Sequence, residues 1–378
     1  MTSVVFAMEW VPQYRAPFYD GLRQRLASEG IEVRLLHGDP PASRVKRGDQ
    51  QTLPWAEMIP NRFWTVSGLE VTWQPVLGRL RRADLIVLQQ ETGLLLNYPA
   101  LVRARLGGTP VALWGHGQNF NPLDANPRAE WVKSKVTRLA DWFFAYTERS
   151  ATVFRSIGAP DDRITVVRNS MDIASLTDPS GTPSAEIEAL VAGLRERKAR
   201  VGWIVSALDT WKRVPMLLDV VDTVREQVPS FEFVVVGAGA DAGVLDLAAR
   251  SRPWLHVVGP RFGPDKAALG RVAELTIHPG LAGLHVIDAF ATATPMVTAD
   301  IEYHSHEIDY LDAGSNAVVL PGAATVADFA AAVTGLLADD DELARLQEGC
   351  RKAAEIFTLD AMVERFAAGI VAALERTS

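Results

Sequence analysis

Short apolar, β-rich runs alternate with segments of helical periodicity along almost the whole chain. Such alternation predicts parallel sheets covered by helices. In the first half, strands are predicted at Val4–Met8, Ile31–Leu36, Leu85–Leu88, Val111–Trp114, Trp142–Tyr146 and Ile164–Val167. A helix is predicted over Ala16–Glu29, where Phe18, Leu22 and Leu26 recur at helical spacing and Gly30 ends the run. From Pro40 to about Gly78 the chain is rich in Pro and Trp without a sustained period, which predicts loop with short strands.

Asp178–Ser184 holds two prolines and a glycine and is the strongest breaker cluster in the middle of the chain. A charged helix is predicted next, over Glu186–Arg200. The strand–helix rhythm then restarts with Val201–Ser206, Phe231–Val236, His256–Val258, Leu275–His278, Met296–Thr298 and Ala317–Leu320. The last segment, Asp360–Arg376, carries Met362, Phe366, Ile370, Val371 and Leu374 on one helical face. The pattern predicts an α/β protein with domains at residues 1–178 and 185–358 and a terminal helix within 359–378. Two domains also suit 378 residues, at roughly 100–200 residues per domain. Open parallel sheets bind ligands beyond the carboxyl ends of their strands. Two such sheets facing a central cleft would place functional residues just after strands.

Composition narrows the function classes. One cysteine, Cys350, excludes an intramolecular disulfide, and no Cys/His cluster has zinc spacing. The start has no basic n-region with a long apolar run, and no stretch has the roughly 18 apolar residues of a membrane span; the expectation is a cytoplasmic protein. Residues 1–172 hold 21 Lys/Arg against 17 Asp/Glu, the remainder 17 against 29. The first half is therefore mildly basic, which surface variation or an anionic acceptor or lipid would explain. A pI of about 5.5 without a basic stripe argues against nucleic-acid binding. Asn126–Leu139 sets Arg128, Lys133, Lys135 and Arg138 beside Trp131, Val132, Val136 and Leu139. A domain helix with a solvated face is the favoured reading; a helix lying on the inner face of a membrane is the alternative.

Gly237-Ala238-Gly239-Ala240-Asp241-Ala242 follows a predicted strand and matches a dinucleotide fingerprint. An NAD site also needs an acid at the end of the next strand, and Leu255–Val258 ends instead in Gly259-Pro260. A tight strand-to-helix turn is the favoured reading, with an oxidoreductase set aside. Two other loops carry more chemistry. After Trp203–Ser206, Lys212 stands where the next helix begins and could neutralise phosphate, or could be a solvated lysine. After His278, Pro279-Gly280-Leu281-Ala282-Gly283-Leu284 leads into a helix whose first amides, near Gly283 and Leu284, favour a diphosphate. Asp288, about a turn further on, could accept hydrogen bonds from ribose.

With these loops the chain resembles the family-4 retaining glycosyltransferases of the GT-B fold, over nearly its whole length. Tyr14-Arg15-Ala16-Pro17-Phe18 is similar to the family's opening loop, and Trp114–Asn119 to its histidine loop. Ala140–Thr147, Gly158 and Val166–Asp172 are similar to its segments before the linker, and the terminal helix to the one that crosses back to the first domain. The chain departs from the family where Ser206-Ala207-Leu208 replaces Gly-Arg-Leu, and where Gly280 and Asp288 replace two glutamates. The family's first glutamate touches the donor sugar and its second the ribose. A branch with a Pro-Gly-x-x-Gly-Leu loop lacks the first and still transfers sugar.

The resemblance implies two Rossmann-like domains and retaining transfer from a nucleotide-diphosphate sugar, with a UDP-sugar favoured and a GDP-sugar next. The acceptor would be a glycan, a lipid-linked or a small molecule. No cofactor and no metal are implied: the run Asp339–Glu342 reads as a helix cap and solvated face. Lys212 with Ser206 and the amides near Gly280, Gly283 and Leu284 would bind the leaving diphosphate, Asp288 the ribose, and Gly259-Pro260 the base through backbone. His116, between two glycines that let its loop bend, could bond the sugar or move a proton, or be structural. Arg15 could reach phosphate or acceptor, or lie on the surface. His304 and Glu307, in a polar stretch after Met296–Thr298, could contact the sugar in place of the missing glutamate. A catalytically silent nucleotide-sugar binder or partner subunit is the alternative function.

Overall fold

The apolar run at the start of the chain forms β1 (Thr2–Met8), buried from Ser3 to Met8. A strand buried on both faces needs helices on both sides, and both halves of the protein meet that need. The computed structural model describes residues 1–40, 51–66, 69–118, 127–178 and 180–377. They form two units: Met1–Asp172 with Leu359–Ser378, and Ile173–Thr358.

In the first unit, β1 leads through α1 (Ala16–Ala27) to β2 (Ile31–His37), the short β3 (Glu57–Met58) and the hairpin β4 (Arg62–Val66) and β5 (Leu69–Trp73). β6 (Leu85–Gln89), α2 (Asn97–Arg105), β7 (Val111–Gly115), α3 (Pro127–Thr137), β8 (Trp142–Ala145), α4 (Glu148–Ser156) and β9 (Ile164–Val166) follow. The sheet is parallel in the order β3-β2-β1-β6-β7-β8-β9. Alternate residues of β1 serve opposite faces: Val4, Phe6 and Met8 pack with α1, while Val5 and Ala7 join Leu96, Ala100 and Leu101.

The second unit begins with the short α5 (Ala174–Thr177) and α6 (Ala185–Glu196). Residues 173–178, read from the sequence as the end of the first domain, thus belong to the second unit. The helix predicted to Arg200 stops at Glu196, because Lys198 takes a left-handed conformation (φ 50°) and Arg200 already pairs with Phe231. β10 (Arg200–Val205), α7 (Val214–Gln227), β11 (Phe231–Val236), α8 (Ala242–Ala249), β12 (Leu255–Gly259), α9 (Gly263–Gly270), β13 (Leu275–His278), α10 (His285–Ala291), β14 (Met296–Ala299) and β15 (Ala317–Leu320) follow, then α11 (Val326–Ala338) and α12 (Asp340–Ile356). The sheet order is β12-β11-β10-β13-β14-β15, all parallel. The chain reverses its winding between β10 and β13. That switch point opens a crevice beyond the two strands' carboxyl ends.

The last helix, α13 (Leu359–Thr377), returns to the first unit. Met362, Phe366, Ile370 and Ala373 enter that unit's core, with the Phe366 ring stacked on Phe144 at 3.9 Å between centroids. A Cβ on Gly369 would come within 2.6 Å of the same Phe144 ring, so the helix approaches the sheet there only as glycine. Among the described residues no helix is long and apolar enough to cross a membrane. The acidic run 339–342 is a helix cap, with Asp339 accepting from the Glu342 amide at 3.0 Å.

Candidate active site

The loop after β10 is fixed by backbone contacts. Ser206 N donates to Val236 O, and Leu208 N to Ala238 O. A Cβ on Gly237 would strike the Ser206 carbonyl, and one on Gly239 the Leu208 carbonyl. The two glycines of the fingerprint-like stretch thus let two loops touch, as the tight-turn reading requires. The Ser206 hydroxyl turns to Ala207 O at 3.3 Å. Asp209 caps a 3-10 turn, Thr210–Lys212, and Arg213 follows in the left-handed region (φ 52°) before α7.

That turn buries Lys212, whose Nζ donates to Leu281 O at 2.7 Å. The loop after β13 answers with Leu281 N donating to Trp211 O at 2.8 Å. The structure therefore brings Lys212 and the Gly280–Leu284 loop together at the β10/β13 switch point. Gly280 lies flat against this partner loop: a Cβ there would collide with Trp211 O and come within 2.6 Å of Lys212 Cα. A glutamate has no room at that position.

Residues after β14 complete the wall. Ala282 N donates to His304 Nδ1 at 2.9 Å, and His304 Nε2 lies 2.6 Å from Ala299 O. Accepting at one nitrogen and donating at the other, His304 is a neutral strut between the loop and β14. Both of its nitrogens are engaged in backbone. Glu307 is buried, and its Oε2 lies 4.0 Å from where a Gly283 Cβ would stand. Asp288 on α10 is buried and pairs with Lys266 of α9, Nζ to Oδ1 at 2.6 Å. Gly259 (φ 71°) and exposed Pro260 end β12 on the same edge of the sheet, two strands from β10.

Three residues that the sequence reading left unassigned belong here. Lys266 holds Asp288, and the rings of His278 and His285 stack 4.2 Å apart beside the loop. Burial foremost keeps both imidazoles well below the ordinary histidine pKa; the positive charge of Lys212 adds to it, as does each histidine's proximity to other histidines. The available signal was position: His278 ends a strand at the switch point and His285 opens the helix that follows.

In the first unit, His116 follows β7 with its ring 4.3 Å from that of Tyr146. Its flanking glycines are also sites of close packing. A Cβ on Gly115 would come within 2.6 Å of Gln90, and one on Gly117 (φ 88°) within 2.5 Å of Val153. Gln90 accepts from Gly117 N at 2.7 Å and donates to Gly117 O at 3.0 Å, clamping the loop that carries His116. Asn119 and Asn126 lie outside the described residues, as does the side chain of Arg128. Arg15 is not at the surface. It is buried, donates to Asn169 Oδ1 at 2.8 Å and Ser170 O at 3.4 Å, and lies over the rings of Tyr14, Phe18 and Trp114. Its bonds to Asn169 and Ser170 join the 3-10 turn Gln13–Arg15 to the segment before the second unit.

Comparison with known proteins bears on the fold and the family. Residues 19–175 match the model of Glycosyltransferase Family 4, and residues 199–339 that of Glycosyl transferases group 1. No curated protein matches the chain in sequence. Among solved structures, Anabaena HepE in complex with UDP superposes with a TM-score of 0.71 at 16% identity, over 98% of this chain and 100% of that one. HepE in complex with UDP-glucose gives 0.70 at 18% identity, over 98% and 100%. The pneumococcal O-GlcNAc transferase GtfA in complex with UDP and GlcNAc gives 0.69 at 11% identity, over 100% and 99%. The fold is GT-B, and each unit holds a segment that matches a glycosyltransferase family model.

Proposed function

We propose that this chain of two glycosyltransferase domains transfers a sugar from a nucleoside-diphosphate donor, with retention at the anomeric carbon and without a metal. The observation that carries the reading is Lys212, buried at the switch point and bound to the Leu281 carbonyl beside a glycine loop. A cation held there meets a diphosphate without reorganising, which is where transition-state stabilisation is greatest. A UDP-sugar is the favoured donor: structures of HepE and GtfA are complexes with UDP.

In this reading the acceptor oxygen bonds to the anomeric carbon as the carbon–phosphate-oxygen bond breaks on the same face, and the acceptor proton passes to the departing phosphate oxygen. Lys212 and the amides near Gly280, Gly283 and Leu284 bind the diphosphate, with Ser206 at its edge. Asp288, oriented by Lys266, binds the ribose, and the backbone at Gly259-Pro260 the base. Glu307 takes the sugar-binding role of the absent glutamate, and His304 positions the loop. In the first unit His116, set by Gln90, touches the sugar or moves the proton, and that unit binds a glycan, lipid-linked or small acceptor. Helix α3 carries Trp131, 63% exposed with Lys135 over its ring at 5.7 Å, and supplies a peripheral membrane contact if the acceptor is lipid-linked.

Slow donor hydrolysis tests this without knowledge of the acceptor. Proton NMR of the protein with α-linked UDP- and GDP-sugars should show the free α-anomer first. First appearance of the β-anomer contradicts retention. Nucleotide binding without any sugar release or transfer favours the silent binder, the reading that the absent arginine and glutamate would support.

A further inference from the structure

His278 is fully buried, and its Nδ1 lies 3.2 Å from Gly280 O, so that nitrogen carries the hydrogen. Its Nε2 then presents a lone pair, and that atom meets no hydrogen-bond partner among the described residues. Neither does the Nε2 of His285, whose ring stacks on His278 with planes 17° from parallel. A buried polar atom without a partner is costly and rare. Two together, between Lys212 and Lys266 at the switch point, mark a place where a ligand supplies the missing bonds.

The charges facing the pair come from every side. Lys212 arrives from the loop after β10, Lys266 from α9 and His304 from the segment after β14. Asp288, on α10 itself, is held by Lys266. The 3-10 turn His306–Tyr310 adds His306, Glu307 and Asp309. Helix α12, which packs against α10, buries only Leu343, Leu346, Cys350 and Ala353, and α5 carries no titratable residue. Without a ligand, burial and the neighbouring cations keep both imidazoles neutral. A diphosphate brings two negative charges and oxygens that only accept. The bare Nε2 of His278 cannot meet such an oxygen until it gains a hydrogen.

We propose that the His278–His285 pair takes up one proton when the donor diphosphate binds and gives the new N–H to a phosphate oxygen. The inference rests on the donor-binding reading above. It assigns to the pair the charge that the family's arginine supplies and that Ser206-Ala207-Leu208 lacks. Two stacked rings repel as cations, so the pair titrates as a unit and gains one proton rather than two.

Titration calorimetry of the full chain counts the protons. UDP-glucose, GDP-mannose and ADP-glucose are the probes, because a diphosphate esterified at both ends does not titrate near neutrality. Each is titrated near pH 7 in buffers of different ionisation enthalpy. The sugar nucleotide that binds should carry uptake of about one proton, and its affinity should tighten by up to about tenfold per pH unit from about pH 8 to about pH 6. In His285→Gln, uptake and pH dependence should vanish while binding persists at least about tenfold weaker. His278→Gln provides the same reading if His285→Gln fails to melt like the parent. Binding by the wild type without proton uptake overturns the proposal, as does unchanged uptake in both variants; either leaves the donor site standing. Failure of all three probes to bind overturns the donor reading and this inference with it.

Discussion

A Cβ on Gly280 would stand 2.6 Å from the Cα of Lys212. The glutamate usual at this place in the resembling family is thus excluded by the backbone that positions the lysine. Gly280→Ala should lower the melting temperature and weaken nucleotide binding, since overpacking at such a contact costs about 1–3 kcal/mol. Gly280→Glu, although it restores the family's residue, should be worse than Gly280→Ala in both measurements. Higher activity in Gly280→Glu would show that the two loops separate easily.

Lys212→Ala should reduce turnover by roughly 10²–10³-fold, the scale for losing one transition-state donor, with circular dichroism unchanged. Steady-state kinetics on the donor that binds checks this. Turnover near that of the parent would remove Lys212 from the reaction.

Arg15→Ala should act on stability rather than on donor affinity. It removes bonds to Asn169 and Ser170 and leaves a buried gap among Tyr14, Phe18 and Trp114. A fall in melting temperature with an unchanged donor KM is expected. A rise in donor KM at unchanged stability would return Arg15 to the ligand.

Stability should fall as the solution is acidified below about pH 6.5. Burial holds His37, His278 and His285 neutral in the folded protein, with pKa values below the ordinary 6.5. Below that pH the unfolded chain binds protons that the folded protein refuses, so stability present above it is progressively lost. Melting curves between pH 7.5 and pH 5 should shift steadily down. A flat or rising melting temperature would mean that these histidines protonate freely in the fold.

The strands were legible because doubly buried strands are written as continuous apolar runs, as in Phe231–Val236 and Leu275–His278. The terminal helix was legible from the spacing of Met362, Phe366 and Ile370. The end of α6 was not, since its left-handed cap residue is Lys198 rather than the glycine that usually marks one. At the site, Lys212, Gly280 and Asp288 stood out by following strands. Arg15 and His304 look the same in sequence, yet their polar groups bond within the protein, because a polar residue at a strand end serves scaffold or ligand with the same composition around it. Lys266 and Gln90 gave no signal: each acts on a residue distant in sequence, and only the packed sheets bring the two together.

The most direct test of a nucleoside-diphosphate site built on Lys212 is a thermal-shift screen of the protein and of Lys212→Ala. The ligands are UDP, GDP, ADP, CMP, dTDP and NAD, each with and without magnesium. A ligand at about 100 times its Kd stabilises by roughly 2.7 kcal/mol, a readily visible shift. The account predicts that one nucleoside diphosphate, UDP first among them, raises the melting temperature equally with and without metal, and that Lys212→Ala loses most of the rise. Stabilisation by NAD alone, or an undiminished nucleotide shift in Lys212→Ala, would contradict it.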